Sequence, residues 1–425
     1  MKICFILFVL LNACFCLQAA PKVSLSGSSQ DKALALGDDF SVTLSVAEGD
    51  EHLSSGEITL KIYNSWGEVI WQKKQQLAAG NPATFACKIN APGVYIAMTE
   101  AYVDAQGKAA QPEGGHPLYA VACAPEQIQA GAPEPKDFDA FWAKAVSQYK
   151  DAPVVVEDLP ADMFKDHQGK LLKITIGETC ISAILCLPKI SGKFPLLVSF
   201  PGAGPGVGKP WISSQSQARI MMTVNVFHYP WSADSAELKR RYDEFNKKIG
   251  MSYMYLGGSS PETYFFYPVL LAIVRAIDYA SSLPEFDQKH LILSGSSQGG
   301  FLAFAAAALT QKATAVCVNV PAMCDHFGRN VGRKPGWPEL LKNVPGAEKT
   351  AGYFDTVNFA ARIKAPVLMA VGYLDRTAPA AGGIAAFNRL QGEKTLLSLP
   401  AVGHKIDKAY GEAAGKFIND AVMQE

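Results

Sequence analysis

The sequence predicts an α/β fold in which a mostly parallel sheet is covered by helices on both faces and is preceded by a smaller all-β sandwich. The chain has 425 residues, more than the usual size of one domain. Its first third consists of short alternating runs separated by turns, as in antiparallel sheets. The remainder alternates apolar strand-like runs with helix-like segments, a pattern typical of parallel sheets buried between helices.

Residues 1–20 form a predicted secretory signal peptide. Lys2 precedes an apolar run over Ile3–Leu11, and small residues end at Ala19 and Ala20. The run is too short to span a bilayer as a helix. Leu11–Cys14 loosely matches a lipid-attachment motif, but we favour simple cleavage, so we expect a secreted or periplasmic protein without a transmembrane span.

Residues 21–126 are predicted to form an immunoglobulin-like β-sandwich. The alternating runs include FSVTLSV, EITLKIY, EVIWQKK and GVYIAMTEAYV, and the turn-rich pieces between them include ALGDD and NSWGE. Their number and spacing suit a sandwich of about 100 residues. The Cys-Trp-Cys signature of true immunoglobulin domains is absent.

Residues 127–425 are predicted to form the larger α/β domain. A linker rich in Pro, Ala and Gly leads into a helix-like segment from Asp137 to Tyr149. The antiparallel-looking pair LLKITI and ISAILCLP follows. The later strand candidates include FPLLVSF, HLILSGS, ATAVCVNV, APVLMAVGYL and KTLLSLP.

Charge and cysteine content narrow the possible ligands. Lys plus Arg and Asp plus Glu number 39 each, which argues against a nucleic-acid partner because phosphate binding usually leaves a basic excess. The six cysteines beyond the signal peptide form no tight ligand pair. We therefore expect buried apolar cysteines, no metal, no cofactor, and a small or neutral ligand.

The stretch SGSSQGG lies between a strand candidate and a helix candidate, where G-x-S-x-G forms the sharp turn of an α/β-hydrolase. Gly295 and Gly299 would permit the tight turn. Ser297 would then project its hydroxyl above the sheet as a nucleophile. The backbone N–H of Gln298, at the start of the helix, would face a developing oxyanion.

An acid and a base follow in the order that α/β-hydrolases use. Asp375 comes directly after the strand APVLMAVGYL, and His404 comes after KTLLSLP. The carboxylate would orient the imidazole, which would take the proton of Ser297. The alternative for Asp375 is an ordinary loop residue or a helix cap, with Arg376 as its ion-pair partner.

The second oxyanion donor is predicted in the glycine-rich loop PGAGPGVG after FPLLVSF, with the backbone N–H of Ala203 as the candidate. Two other groups of residues follow strands and remain candidates for the border of the site. His228, Tyr229 and Trp231 would either line the pocket or pack on the core. Asp325 and His326 would border the site.

The chain from about Asp137 onward resembles the acetyl xylan esterase and cephalosporin-C deacetylase family of carbohydrate esterases. The resemblance rests on PKDFDAFWAKA, GSSQGG, VPAMCD and the segment from GYLDRTAP to GHK. It implies that Ser297 is the nucleophile, Asp375 the acid, His404 the base and Gln298 an oxyanion donor. It also implies deacetylation of short acetylated sugars. The family usually has His-Gly-Tyr where this chain has PGA, which puts its usual substrate preference in doubt.

The leading hypothesis is a secreted serine esterase that acts on acetylated xylan or xylo-oligosaccharides, or on cephalosporin-type acetyl esters. A prolyl-oligopeptidase-like peptidase, an acyl transferase or a thioesterase would use the same core and remain alternatives. A carbohydrate-binding protein with an inactive hydrolase core is an alternative of another class. The N-terminal sandwich is an addition to the compact family form, so the ring-like oligomer of the family is not expected to carry over to this chain.

Overall fold

The computed structural model describes residues 22–27, 32–47, 56–77, 81–104, 107–210, 212 and 216–423. The predicted signal peptide lies outside the described residues. The bounds of the strands and helices are as follows. The strands are β1 (Val23–Gly27), β2 (Asp39–Val46), β3 (Gly56–Asn64), β4 (Val69–Leu77), β5 (Ala83–Lys88), β6 (Gly93–Asp104), β7 (Ala109–Ala110), β8 (Leu118–Cys123), β9 (Val154–Asp158), β10 (His167–Ile176), β11 (Thr179–Pro188), β12 (Phe194–Phe200), β13 (Ile220–Val224), β14 (Phe286–Ser296), β15 (Ala315–Asn319), β16 (Val367–Gly372) and β17 (Lys394–Leu399). The helices are α1 (Phe138–Gln148), α2 (Ser235–Ile249), α3 (Phe266–Ser281), α4 (Gln298–Thr310), α5 (Leu340–Asn343), α6 (Glu348–Ala351), α7 (Thr356–Ala360), α8 (Ala380–Arg389) and α9 (Lys408–Met423).

Two antiparallel sheets form the N-terminal sandwich. One has the order β1-β2-β5, and the other has the order β4-β3-β6-β7 with β8 also paired to β6. Alternate residues of β2 and β3 point inward, and Val42, Leu44, Ile58 and Leu60 from the two sheets share one buried core. The period-2 alternation of these runs therefore predicts their inner face correctly.

The strands β6 and β8 are buried on both faces. Tyr95 and Val121 enter the sandwich core, while their neighbours Val94, Ile96 and Ala120 enter the core of the larger α/β part. Successive side chains on a strand point to opposite faces, so this sheet is shared between two cores. The sandwich is thus packed directly onto the α/β part.

The larger part is built on a nine-stranded sheet with the order β17-β16-β15-β14-β12-β13-β11-β10-β9. The strands from β17 to β13 are mutually parallel, whereas β11, β10 and β9 pair antiparallel. This confirms the predicted α/β-hydrolase sheet. Because β12 lies between β13 and β14, the loops after β12 and β14 leave the same edge side by side, where an α/β fold binds its ligands.

Helices cover both faces of this sheet. The apolar helices α3 and α4 belong to the main core, and α9 covers the opposite face through Phe417 and Ile418. Residues 138–148 form α1, within one residue of the predicted helix. Among the described residues, no helix is long and apolar enough to cross a membrane.

Candidate active site

Ser297 lies at a sharp turn between β14 and α4. Its φ of 58° and ψ of −122° are rare for a residue with a side chain and hold it in a strained turn. A Cβ on Gly295 would lie 2.2 Å from the carbonyl oxygen of Gly299, and one on Gly299 would lie 2.2 Å from that of Phe200. Both positions therefore require glycine, as the G-x-S-x-G pattern predicts.

Ser297, His404 and Asp375 form one hydrogen-bonded line. Ser297 Oγ lies 2.9 Å from His404 Nε2, and His404 Nδ1 lies 2.7 Å from Asp375 Oδ2. A carboxylate can only accept, so Nδ1 carries the proton and Nε2 is left as an acceptor for the serine hydroxyl. The three groups that the sequence singled out come together at the carboxyl ends of β14, β16 and β17.

The carboxylate of Asp375 is buried and has two further donors. Its Oδ1 accepts the backbone N–H groups of Thr377 at 2.7 Å and Ala378 at 2.8 Å. The side chain has no exposed surface, whereas that of His404 is 28% exposed. These bonds fix which carboxylate oxygen faces His404. The guanidinium of Arg376 is turned toward Trp66 rather than pairing with Asp375.

The two backbone N–H groups that the sequence predicts to face an oxyanion belong to Gln298 and Ala203. Gln298 is the first residue of α4, so its N–H has no partner within the helix. Ala203 lies in the loop after β12, which passes close to the serine turn. A Cβ on Gly202 would lie 3.7 Å from the carbonyl oxygen of Ser296. Residues 201–208, the oxyanion loop, thus run beside the nucleophile.

Side chains from the segment after β13 hold the far half of the oxyanion loop. Asn225 Oδ1 accepts the N–H of Val207 at 2.8 Å. Trp231 Nε1 donates to the carbonyl of Val207 at 3.1 Å, and Tyr229 donates to that of Pro205 at 2.6 Å. Of the two interpretations offered for Tyr229 and Trp231, packing describes them better, because they anchor the loop.

The expectation that Asp325 and His326 border the site is wrong. Their exposed fractions are 2% and 1%. Asp325 pairs with Arg333 at 2.7 Å and accepts the N–H of Gly131 at 2.7 Å. Burial lowers the pKa of His326 to about 4, so the ring is neutral. Both residues follow β15 but turn into the protein, where Asp325 holds the linker through Gly131.

Sequence reasoning missed the contribution of the sandwich. The turn between β3 and β4 has φ of 44° at Ser65 and 61° at Trp66, and Gly67 N–H donates to Asn64 O at 2.8 Å. Left-handed conformations at both central positions usually call for Asn or Gly. The turn places the Trp66 ring 4.2 Å from the guanidinium carbon of Arg376, the residue after Asp375. The run NSWGE predicts the turn but not its target.

The same hairpin tip is bonded to the loop that follows β15. Glu68 N–H donates to Gly332 O at 2.9 Å, and Lys334 N–H donates to Ser65 O at 3.2 Å. Lys334 Nζ in turn donates to Arg376 O at 2.6 Å. The sandwich, the loop after β15 and the segment after Asp375 are therefore joined at one junction.

In the part of the chain that the structure describes, no three His, Cys, Asp or Glu side chains are grouped to hold a metal ion. The cysteines described are free, and Cys123, Cys186, Cys317 and Cys324 are buried. Burial raises the pKa of Cys186 to about 12, so this thiol is inert.

A family model described as acetyl xylan esterase matches residues 126–420. The chain belongs to the acetyl xylan esterase family. This confirms the resemblance found in the sequence, and the matched segment contains Ser297, Asp375, His404, Gln298 and Ala203. The acetyl esterase Axe7A of Xylanibacter ruminicola is 33% identical over 294 residues, which are 67% of this chain and 66% of that protein. The chain thus spans slightly less than two thirds of that relative.

Two solved structures of acetyl xylan esterases share the fold of this chain. Acetyl xylan esterase 1 from Thermoanaerobacterium sp. JW/SL YS485 is 21% identical, with a TM-score of 0.56 over 70% of this chain and 97% of that one. The acetyl xylan esterase from Paenibacillus sp. R4 is 24% identical, with a TM-score of 0.55 over 70% of this chain and 98% of that one. These likenesses establish the family architecture.

Proposed function

We propose that this chain is a serine carboxylic-ester hydrolase that removes acetyl groups from carbohydrates, with acetylated xylan or xylo-oligosaccharides as substrates. The observation that carries the proposal is the hydrogen-bonded line from Ser297 through His404 to Asp375 in a member of the acetyl xylan esterase family. Cephalosporin-type acetyl esters offer the same acetyl group and belong to the same proposal.

In the acylation step, Ser297 Oγ attacks the acetyl carbonyl carbon while His404 Nε2 takes the hydroxyl proton. Asp375 stabilises the imidazolium that forms. The carbonyl oxygen becomes an oxyanion, which the backbone N–H groups of Gln298 and Ala203 stabilise. When the intermediate collapses, the bond to the sugar oxygen breaks, and His404 returns the proton to that oxygen as the alcohol leaves.

In the deacylation step, water replaces the sugar. His404 takes a proton from water, whose oxygen attacks the acetyl carbon bound to Ser297, and the same two N–H groups stabilise the second oxyanion. Collapse breaks the bond to Ser297 Oγ, which regains its proton from His404, and acetate is released. The cycle needs no oxidant, reductant or second substrate beyond water.

Ser297→Ala tests the role of the nucleophile. We expect acetyl-ester turnover to fall by about 10⁴-fold or more, measured with 4-nitrophenyl acetate and acetylated xylo-oligosaccharides. A fluorophosphonate probe should label the wild type, because Ser297 Oγ bonds to phosphorus as fluoride leaves, and should not label the variant. Ser296→Ala is the matched control, since the Ser296 hydroxyl accepts a hydrogen bond from Asn319 at 3.0 Å. This variant should keep most of the activity. A folded Ser297→Ala enzyme with wild-type turnover would move the nucleophile elsewhere.

The acyl group is tested separately with acetyl, butyryl, feruloyl and aminoacyl esters of one leaving group. A preference for acetyl supports the proposed substrate class. A preference for the aminoacyl ester would instead favour the peptidase alternative, and transfer of acetyl to an added alcohol in place of hydrolysis would favour the transferase.

We also propose that the chain is exported after cleavage of residues 1–20. The proposal rests on the sequence of that segment, and on a substrate class that consists of polysaccharide fragments. Sequencing the N-terminus of the mature protein from its native host tests it. A start near residue 20 supports cleavage, and an intact Met1 contradicts it.

A further inference from the structure

The side chain of Gln298 contacts the oxyanion loop, in addition to the backbone N–H that is proposed to face the oxyanion. Its side chain is fully buried, and its Nε2 lies 3.4 Å from the carbonyl oxygens of both Pro201 and Gly202. These carbonyls belong to the oxyanion loop. One residue thus presents its backbone N–H to the proposed oxyanion and its side chain to the loop that carries the second donor.

The bond to Gly202 O has a direct geometric consequence. The carbonyl of Gly202 and the N–H of Ala203 belong to the same peptide plane. In a trans peptide these two groups point in opposite directions, and in the described residues the cis peptide is Trp337–Pro338. The amide of Gln298 therefore holds the carbonyl end of the plane, and this fixes the direction of the Ala203 N–H.

Tyr253 holds the Gln298 amide in turn. Its hydroxyl donates to Gln298 Oε1 at 2.5 Å. Because burial raises the pKa of Tyr253, the hydroxyl keeps its proton and remains a donor. The Tyr253 ring has no exposed surface and packs on Phe227 and Phe265, with centroids 4.9 and 5.0 Å away.

These contacts form a chain of hydrogen bonds that ends on the donor peptide. Tyr253 donates to Gln298, and Gln298 donates to the carbonyls of Pro201 and Gly202. The peptide that carries the Ala203 N–H is therefore tied to a buried pair of side chains. We infer that Tyr253 and the amide of Gln298 are positioning residues that aim the Ala203 N–H at the oxyanion. This inference rests on the proposed function, since it concerns the same site.

Tyr253→Phe removes one oxygen and leaves the aromatic packing in place. Gln298 Oε1 then loses the hydrogen bond from Tyr253, and the amide can rotate away from Gly202 O. The Ala203 N–H is then no longer held in the direction of the oxyanion. We expect kcat for an acetyl ester to fall at least about tenfold, less than the 10²–10³ that follows loss of a donor. KM and the pH at which kcat/KM rises should be unchanged, because the ground-state carbonyl and His404 are not altered.

The inhibition constant of a compound that forms a tetrahedral adduct distinguishes a positioning role from a purely structural one. Phenylboronic acid bonds to Ser297 and places an oxygen in the oxyanion hole. The inhibition constant of phenylboronic acid should therefore rise in Tyr253→Phe by about the same factor by which kcat falls. The inhibition constant of the planar product acetate should stay the same. Tyr255→Phe is the matched control. Tyr255 lies in the same turn, but its hydroxyl donates to Pro338 O at 3.2 Å, so kcat and both inhibition constants should be retained.

Gln298→Met is the second variant. It keeps the side-chain length and the backbone N–H but removes the side-chain amide and its three hydrogen bonds, and it should repeat the kcat loss without a change in KM. In the double variant the losses should not add, because both residues act on one peptide plane. Wild-type kcat in either folded single variant, an equal loss in Tyr255→Phe, or additive losses would overturn the inference. Failure of the wild type to hydrolyse acetyl esters, or an active Ser297→Ala enzyme, would instead overturn the proposed function.

Discussion

Two histidine–aspartate pairs lie at opposite ends of strand β14, and their hydrogen bonds have the same length. At the carboxyl end, beyond Ser297, His404 Nδ1 lies 2.7 Å from Asp375. At the amino end, His290 Nδ1 lies 2.7 Å from Asp287. Measured by this contact alone, the two pairs are indistinguishable.

Both aspartates also accept two backbone N–H groups on Oδ1, but the positions of the two pairs in the chain and in the fold differ. Asp375 and His404 come from different strands, and His404 Nε2 faces the serine hydroxyl. Asp287 and His290 are three residues apart in one turn, where Asp287 Oδ1 also accepts the N–H groups of Lys289 at 2.8 Å and His290 at 2.9 Å. The pair of Asp287 and His290 stabilises the start of strand β14. A histidine–carboxylate pair is thus a common structural unit, and its position at the carboxyl edge beside a nucleophile distinguishes the proposed catalytic one.

The sharpest test of this difference is Asp375→Asn. The backbone donors at Thr377 and Ala378 require an oxygen at Oδ1, so the new NH₂ group must face His404 Nδ1. The imidazole would then carry its proton on Nε2 and could not accept the proton of Ser297. We expect kcat to fall by about 10⁴-fold with the circular dichroism spectrum unchanged.

Asp407→Asn is the control for that change. Asp407 lies near His404 in sequence but accepts the N–H of Ala409 at 3.0 Å, before the first turn of α9. It should keep near-wild-type turnover. A folded Asp375→Asn enzyme as active as this control would mean that another carboxylate orients His404.

A smaller effect is expected from Trp66→Ala, which removes the sandwich side chain stacked on Arg376. Asp375 keeps its own backbone donors, so kcat/KM should fall only several-fold as the segment after Asp375 gains freedom. Trp71→Ala is the control, because the Trp71 ring packs on Phe85 within the sandwich at 5.8 Å. It should lower the melting temperature and spare kcat/KM. Equal kinetic losses in the two variants would show that the sandwich acts through stability alone.

The smallest effect on turnover is expected from Asp287→Asn, which should leave kcat/KM unchanged. Burial raises the pKa of Asp287, but bonds from the side chain and backbone of His290 and from Lys289 outweigh it, and the pKa is lowered overall. A carboxylate with a lowered folded-state pKa contributes stability above its unfolded pKa of about 3.9. The melting-temperature deficit of the variant should therefore be present at neutral pH and disappear as the pH falls through the folded pKa. A deficit that persisted in acid would contradict this.

The sequence predicted the triad because that site depends on order along the chain. A serine turn between a strand and a helix, then an acid and a histidine after later strands, can be read without coordinates. Parallel strands bring their carboxyl ends to one edge, so Ser297, Asp375 and His404 had to meet if the strand assignments were right. The same rule applied to the loop after β12 places Ala203 near the serine turn, and its role as an oxyanion donor stays a prediction.

Other features depend on contacts that sequence patterns do not encode. Tyr253 lies in an irregular turn between helices, and no periodicity shows that its hydroxyl reaches Gln298. Asp325 follows a strand like a site residue, but a left-handed backbone with φ of 57° turns it inward to Arg333. The apolar runs of β6 and β8 indicate burial but not that two separate cores share it.

The double burial of β6 and β8 means that the boundary of the family and the boundary of the folded unit do not coincide. A protein cut at the start of the family match, residue 126, would lose Val94, Ile96 and Ala120 from the main core. Burying a Val or Ile side chain stabilises by about 1.5–3 kcal/mol, and the apolar residues that these three side chains cover would become exposed to water. A stably folded portion of this protein therefore includes the sandwich together with the α/β part.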